Sequence, residues 1–340
     1  MALRTLAAAF ALALLAGCGG TSSAVEAGEA SEDLPTGTLV LLPLREARLT
    51  AVDVSSGEAT HRPVPVGPGD ALYHLAKTGD RLVLYGGSVT YALDLGLREE
   101  PTSLGQSLYF VPSATDGRVW LALHDPASPE TVRSLKGVRE VTLDGRVTVQ
   151  SAGPPPCPGP TIVAAIEDGV LCQQDNELVV WEPATGKVLK RLTGSYPVDV
   201  YGNVVAWCSH GCPDIRLTDI GTGKETIIQA ERSFSFNETY DGAFSPDGSL
   251  LAVPVTVDGR EPASGGGSDG VALIDVRTGS VDLIEGSRSG VYTALAWSPT
   301  GDWLFFTDGA GRVMAYRPGT ARAISLPAKV PYPVLDMVAR

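Results

Sequence analysis

Asp219-Ile-Gly-Thr-Gly223 ends a short hydrophobic strand, and the same grammar returns as Asp53-Val-Ser-Ser-Gly57, Glu182-Pro-Ala-Thr-Gly186 and Asp275-Val-Arg-Thr-Gly279. Degenerate copies start at Asp94, Asp125 and Arg317. The Asp side chain can accept hydrogen bonds from backbone amides just downstream, and Gly supplies the positive φ that closes a tight hairpin. Each copy therefore reads as strand, turn, strand. From Asp53 to Arg317 the copies stand about 44 residues apart on average, inside the roughly 40–50 residue period of β-propeller blades.

A second series of turns interleaves with the first: Lys77-Thr-Gly79-Asp, Thr115-Asp-Gly117, Glu167-Asp-Gly169, Tyr201-Gly202-Asn, Pro246-Asp-Gly248 and Pro299-Thr-Gly301. Most are followed by short apolar runs such as Arg81-Leu-Val-Leu-Tyr85, Asn203-Val-Val-Ala-Trp207 and Leu250-Leu-Ala-Val253. Runs of this length between turn signals read as buried strands. Two hairpins per period give four strands per blade. The fold class is all-β, a seven-bladed β-propeller over residues 37–340.

The termini bear on closure. The tail Val334-Leu-Asp-Met-Val338 stands where the preceding period has Thr293-Ala-Leu-Ala-Trp297, an innermost strand, whereas the first period begins directly at Thr38-Leu-Val-Leu-Leu42. The C-terminal strand is expected to complete the N-terminal blade, which removes an open sheet edge.

Ala243-Phe-Ser-Pro-Asp-Gly-Ser-Leu-Leu-Ala-Val253 and Ala296-Trp-Ser-Pro-Thr-Gly-Asp-Trp-Leu-Phe-Phe306 resemble the repeats of WD40-like and TolB-like propellers. The Asp/Glu-x-x-Thr-Gly turns are similar to those of quinoprotein-type repeats. The Gly-His pair of WD40 repeats is missing, and Val188-Leu189 and Ile227-Ile228 stand where quinoprotein repeats place a Trp. The resemblance thus implies fold rather than activity, and no cofactor is expected.

Residues 1–17 have the form of an export signal: Arg4 is the only charge, and Leu6 to Leu15 is apolar but far shorter than the ~20 residues that span a bilayer. With Leu15-Ala-Gly-Cys18 the segment resembles a bacterial lipoprotein signal, which implies a diacylglyceryl group on the Cys18 thiol and cleavage before it. Residues 18–36 are rich in Gly, Ser, Thr, Ala and acidic side chains and carry no basic one, a composition that reads as a flexible tether. The expected location is the extracytoplasmic face of the cell membrane, as a monomer held by lipid.

The net charge is −13, and loss of Arg4 with residues 1–17 makes it −14. That balance argues against nucleic acid as a partner and against a basic patch on anionic lipid. Four cysteines remain after Cys18. In an oxidising compartment an even number suggests disulfides, and the short Ser209-His210-Gly211 spacing pairs Cys208 with Cys212 and leaves Cys157 for Cys172. The competing reading is a metal site of Cys208, His210 and Cys212, for which no fourth ligand is visible. The scattered His61, His74 and His124 are read as structural.

No nucleophile elbow, phosphate loop or zinc-protease helix is present. Ser264-Gly-Gly-Gly-Ser268 reads as linker, and Asn237-Glu-Thr239 as a chance match to a glycosylation acceptor. The five tryptophans, Trp120, Trp181, Trp207, Trp297 and Trp303, read as core. Both tight-turn series should occupy one face of the disc, leaving the longer connections, Gly153–Pro160, Arg232–Asp241 and Asp258–Gly270, on the other. There Phe234, Phe236, Asn237 and Tyr240 combine apolar area with polar handles, as partner contacts do; the alternative is that these aromatics pack between blades. Two functional classes follow. One is a non-catalytic binding or scaffold propeller for a protein or envelope component. The other is a hydrolase or lyase acting on a sugar, lactone or peptide at the central channel, for which Asp336, His74 and Asp199 are the available inner-strand groups.

Overall fold

Short runs rich in Val, Leu and Ile, bounded by glycine turns, form the strands of the structure. It is a computed structural model that describes residues 34–43, 48–64, 72–124, 135–157, 162–174, 176–193, 196–231, 233–236, 242–257, 270–287, 294–331 and 333–340. The chain divides into two units, Met1–Leu34 and Pro35–Arg340. The signal region, Cys18, the spacer up to Asp33, Asn237, Tyr240 and the Gly-rich run at 264–268 lie outside the described residues.

Seven antiparallel sheets make up the second unit. Six are built in chain order from the channel outward, and their innermost strands are Leu72–Thr78, Tyr109–Pro112, Ile162–Ile166, Tyr196–Tyr201, Ala243–Phe244 and Leu295–Trp297, in blades two to seven. Blade one takes its innermost strand, Val334–Ala339, from the C-terminus and pairs it with Thr38–Pro43. The register runs from Leu39 opposite Ala339 to Leu42 opposite Asp336, and the Thr38 and Arg340 backbones exchange hydrogen bonds of 3.1 and 3.0 Å. These inner strands neighbour one another in a closed circle. The closure expected from the termini is therefore present, and the all-β, seven-bladed architecture stands.

The repeated turns have the geometry that their chemistry demands. Gly57, Gly186, Gly223 and Gly279 take φ of 74°, 74°, 73° and 75°, a left-handed conformation that glycine adopts without steric cost. Each donates its N–H to the carbonyl of the first turn residue at 2.8–2.9 Å. Asp53 Oδ1 also accepts the Ser56 N–H at 2.8 Å, Asp219 Oδ1 that of Thr222 at 2.8 Å, and Asp275 Oδ1 that of Thr278 at 2.7 Å. This series joins the third and fourth strands of each blade, and the second series joins the first and second. In an antiparallel sheet these connections lie at the same end.

One copy is corrected. In blade three the third-to-fourth connection is Thr142–Arg146, where Gly145 (φ 85°) donates to the Thr142 carbonyl at 2.8 Å. Asp125 lies outside the described residues, and in the sequence it comes after the second strand, Arg118–His124, rather than after the third. The acidic group had moved to the third turn position, Asp144, and that shift hid the copy from a pattern that began with Asp.

The core is not one body but seven seams. Leu39, Leu41 and Val52 pack with Phe305, Val313 and Ala315 of blade seven, whereas the alternate residues Val40, Leu42 and Leu49 pack with Leu82, Leu84 and Leu93 of blade two. The same alternation recurs at the other five junctions between blades. A strand buried on both faces must be apolar at every position. That is why Leu39–Leu42 and Leu82–Leu84 are continuous hydrophobic runs, while the outer strand Ala59–Pro63 is exposed throughout.

Candidate functional site: the central channel

The inner strands surround a cavity of about 1020 Å³ to which every blade contributes. Its walls are largely small or aliphatic: Ala76, Val111, Ile162, Val163, Ala164, Val198, Ala294 and Leu335. Its polar side chains are few. His74, Tyr109, Gln173, Asp199 and Asp336 line the wall, with Ser113, Glu167 and Tyr201 near the end where the tight turns lie. All three inner-strand candidates from the sequence thus reach the channel.

Two of them meet. Asp336, on the closing strand of blade one, has its Oδ2 3.0 Å from His74 Nδ1 and accepts the Leu75 N–H at 2.8 Å. Both partners belong to the inner strand of blade two, so this carboxylate bridges a blade junction. The Tyr109 ring stacks on His74 at 5.0 Å with 19° between planes, and Phe110 backs it at 4.8 Å. Burial, and then the charge of Asp336, push the Tyr109 hydroxyl above its ordinary range.

Asp199 repeats the bridge elsewhere. Its Oδ2 accepts the Phe244 N–H of blade six at 2.6 Å, and its Oδ1 accepts its neighbour's N–H, that of Val200, at 2.8 Å. No ion pair forms at Asp199 among the described residues. Asp199 is half-buried on the channel wall, and desolvation of its carboxyl raises its pKa to about 6 against the pull of the two backbone amides.

The cysteines pair as Cys157–Cys172 and Cys208–Cys212. The first bond pins the Pro-rich connection leaving blade three onto blade four. The second closes the turn that carries His210, which lies 3.4 Å from the Tyr196 hydroxyl. Among the described residues no group of three or more His, Cys, Asp or Glu side chains is arranged to hold a metal.

The aromatic patch takes a different form from the one expected. Phe234 and Phe236 are 3% and 4% exposed, edge to face at 5.9 Å, within the seam between blades five and six. They belong to a strand, Phe234–Phe236, that pairs with Val255–Val257 beside the inner segment Ala243–Phe244. Phe-Ser-Phe alternates buried, exposed, buried, the period-two signature of a half-buried strand. Their area thus serves packing, the alternative weighed above. Pairing of Phe234 with Val257 does bring the ends of the two long blade-six connections together. Four tryptophans are buried, whereas Trp303 is half-buried just before its strand. Sequence reasoning missed Tyr109, Tyr201 and Glu167 as channel groups. Their signal was positional, since each lies at an end of an innermost strand.

No protein-family model matches the chain, and neither does any curated protein sequence. Among solved structures it is similar to the WD40 β-propeller domain of Doa1, with a TM-score of 0.57 and 16% identity over 85% of this chain and 95% of that one. It is also similar to apo AztD from Citrobacter koseri, with a TM-score of 0.52 and 13% identity over 90% and 98%. At such identities the likeness shows the propeller fold and nothing finer.

Proposed function

We propose that this chain is a non-catalytic binding propeller, anchored by lipid at Cys18 on the extracytoplasmic face of the membrane, that presents its long-connection face to a protein or envelope polymer. The observation that carries the binding reading is the state of the channel carboxylates. Asp336 and Asp199 each hold a neighbouring blade through its backbone N–H, so both carboxylates already serve a structural bond, one from blade one and one from blade five. Paired acid and base groups within reach of one substrate bond are what hydrolytic chemistry requires. The Leu15-Ala-Gly-Cys18 sequence and the acidic spacer support the anchor. Two disulfides fit an oxidising compartment.

A photo-crosslinking amino acid tests the face. At His210, exposed on the long-connection side, it should capture a discrete partner in intact cells; at Thr222, exposed in a tight turn, it should not. Equal capture at both positions, or none at either, rejects the assignment. In the same cells Cys18→Ala should release the protein from the membrane fraction, and retention with unchanged mass rejects the anchor.

One observation favours the second reading, a channel hydrolase or lyase. A carboxylate 3.0 Å from a His Nδ1 can orient an imidazole as a general base. Turnover of lactone or glycoside substrates by the purified protein, lost in His74→Ala, would establish it.

A further inference from the structure

We propose that the central channel is a binding site for a small organic cation, an amine with an apolar body, whose charge is met by Asp199. The site is separate from the long-connection face. Three features of the wall carry it. The first is the sign of the charge: Asp199, Asp336 and Glu167 come from three different blades, and no Lys or Arg lines the channel among the described residues. Among the described lining residues His74 is the only group that could carry positive charge, and it already faces Asp336 at 3.0 Å.

The second is the valence left on Asp199. Its two oxygens each accept one backbone N–H, and a carboxylate oxygen has room for a further donor. Without an ion pair among the described residues, this carboxylate bears a desolvation cost that backbone amides alone do not remove, in keeping with its raised pKa. An ammonium group in the channel would neutralise it where the surrounding low dielectric strengthens the attraction.

The third is the remainder of the wall. Ile162, Ala164, Val198, Ala294, Leu295 and Leu335 offer apolar surface. At about 1020 Å³ the space is at the upper end of small-molecule pockets, roughly 300–1,000 Å³. A bare divalent cation does not suit it, because six or more oxygens would be needed and no group of three candidate ligands converges among the described residues. Anions meet charge of their own sign. An uncharged ligand of the same shape gains the apolar contact but not the ionic one.

Titration calorimetry on the full chain with benzylamine, benzyl alcohol and benzoate tests this at neutral pH. Benzylamine should bind at least tenfold tighter than the other two. Asp199→Asn should weaken benzylamine at least tenfold, while Asp302→Asn, in an exposed turn, leaves it unchanged. Because Asp199→Asn also alters a blade junction, Ala164→Phe provides an independent check: it fills the channel from another blade and should abolish binding with the melting temperature retained. Equal binding of benzylamine and benzyl alcohol would overturn the proposal in favour of a neutral-ligand channel. Absence of benzylamine binding, or unchanged affinity in both Asp199→Asn and Ala164→Phe, would overturn it outright.

Discussion

The channel wall holds two carboxylates with the same structural task and different company. Asp336 ties blade one to blade two through the Leu75 N–H at 2.8 Å, and Asp199 ties blade five to blade six through the Phe244 N–H at 2.6 Å. Beside Asp336 stands His74 at 3.0 Å, itself in ring contact with Tyr109 and Phe110. Among the described residues the hydrogen-bond partners of Asp199 are backbone amides, and burial moves its carboxyl to about 6. The same bridge can thus be a settled ionisable pair at one junction and an unneutralised charge at another. The first fastens the ring where its two ends meet, and the second leaves a place for a ligand.

Substitution of each carboxylate should separate these roles. Asp336→Ala strands the Leu75 N–H in a residue only 3% exposed and removes the partner of His74. It does so on the strand that closes the propeller. Loss of a buried acceptor costs about 1–3 kcal/mol and a partnered charge adds to it, so a loss of about 3 kcal/mol is expected from urea denaturation. Asp199→Ala also strands amides, those of Phe244 and Val200, but removes a poorly solvated charge. The two effects oppose, and a net loss of about 1 kcal/mol is expected by the same measurement. Equal losses at the two sites would mean that the hydrogen-bonded bridge matters and its electrostatic company does not.

The architecture was legible because it is written in turns and runs. Four copies of one turn put glycine at φ of 73–75°, and a positive φ is a demand that few other residues meet. The absence of a first strand before Thr38 and the surplus strand Val334–Ala339 together announced closure. Illegible were the places where one chemistry substitutes for another. Thr142 accepts the Arg146 N–H at 3.2 Å, so a hydroxyl does what an Asp does in the other turns. Phe234–Phe236 was read as loop because Ser235 and the polar residues around it outweighed a three-residue alternation. The channel groups were half legible. His74, Asp199 and Asp336 stood out as polar residues in inner strands, but their pairing joins positions 262 residues apart, and only the circular arrangement brings them together.

The smallest effect is the most specific to the difference between the two junctions. With a folded pKa of about 6 against 3.8 for the free group, Asp199 is protonated in both states well below pH ~4 and ionised in both well above ~6. Between these values the folded state holds the proton and the unfolded state does not, so rising pH costs the folded protein stability. Relative to Asp199→Asn, the wild type should lose about 1–2 kcal/mol as pH rises from 4 to 6, and a smaller further amount by pH 7, where the folded carboxyl completes its titration. Asp53 and Asp247 act in the opposite sense. Hydrogen bonds from Ser55 and Ser245 lead the causes that lower their carboxyls to about 2, so their contribution is present above ~4 and is lost as pH falls towards 2. Both are unchanged in the variant and cancel in the difference. Urea denaturation of the two proteins at pH 4, 5, 6 and 7 measures that difference directly. A flat difference across this range would show that Asp199 carries no desolvation cost, and the contrast with Asp336 would then reduce to the presence of an imidazole that changes nothing.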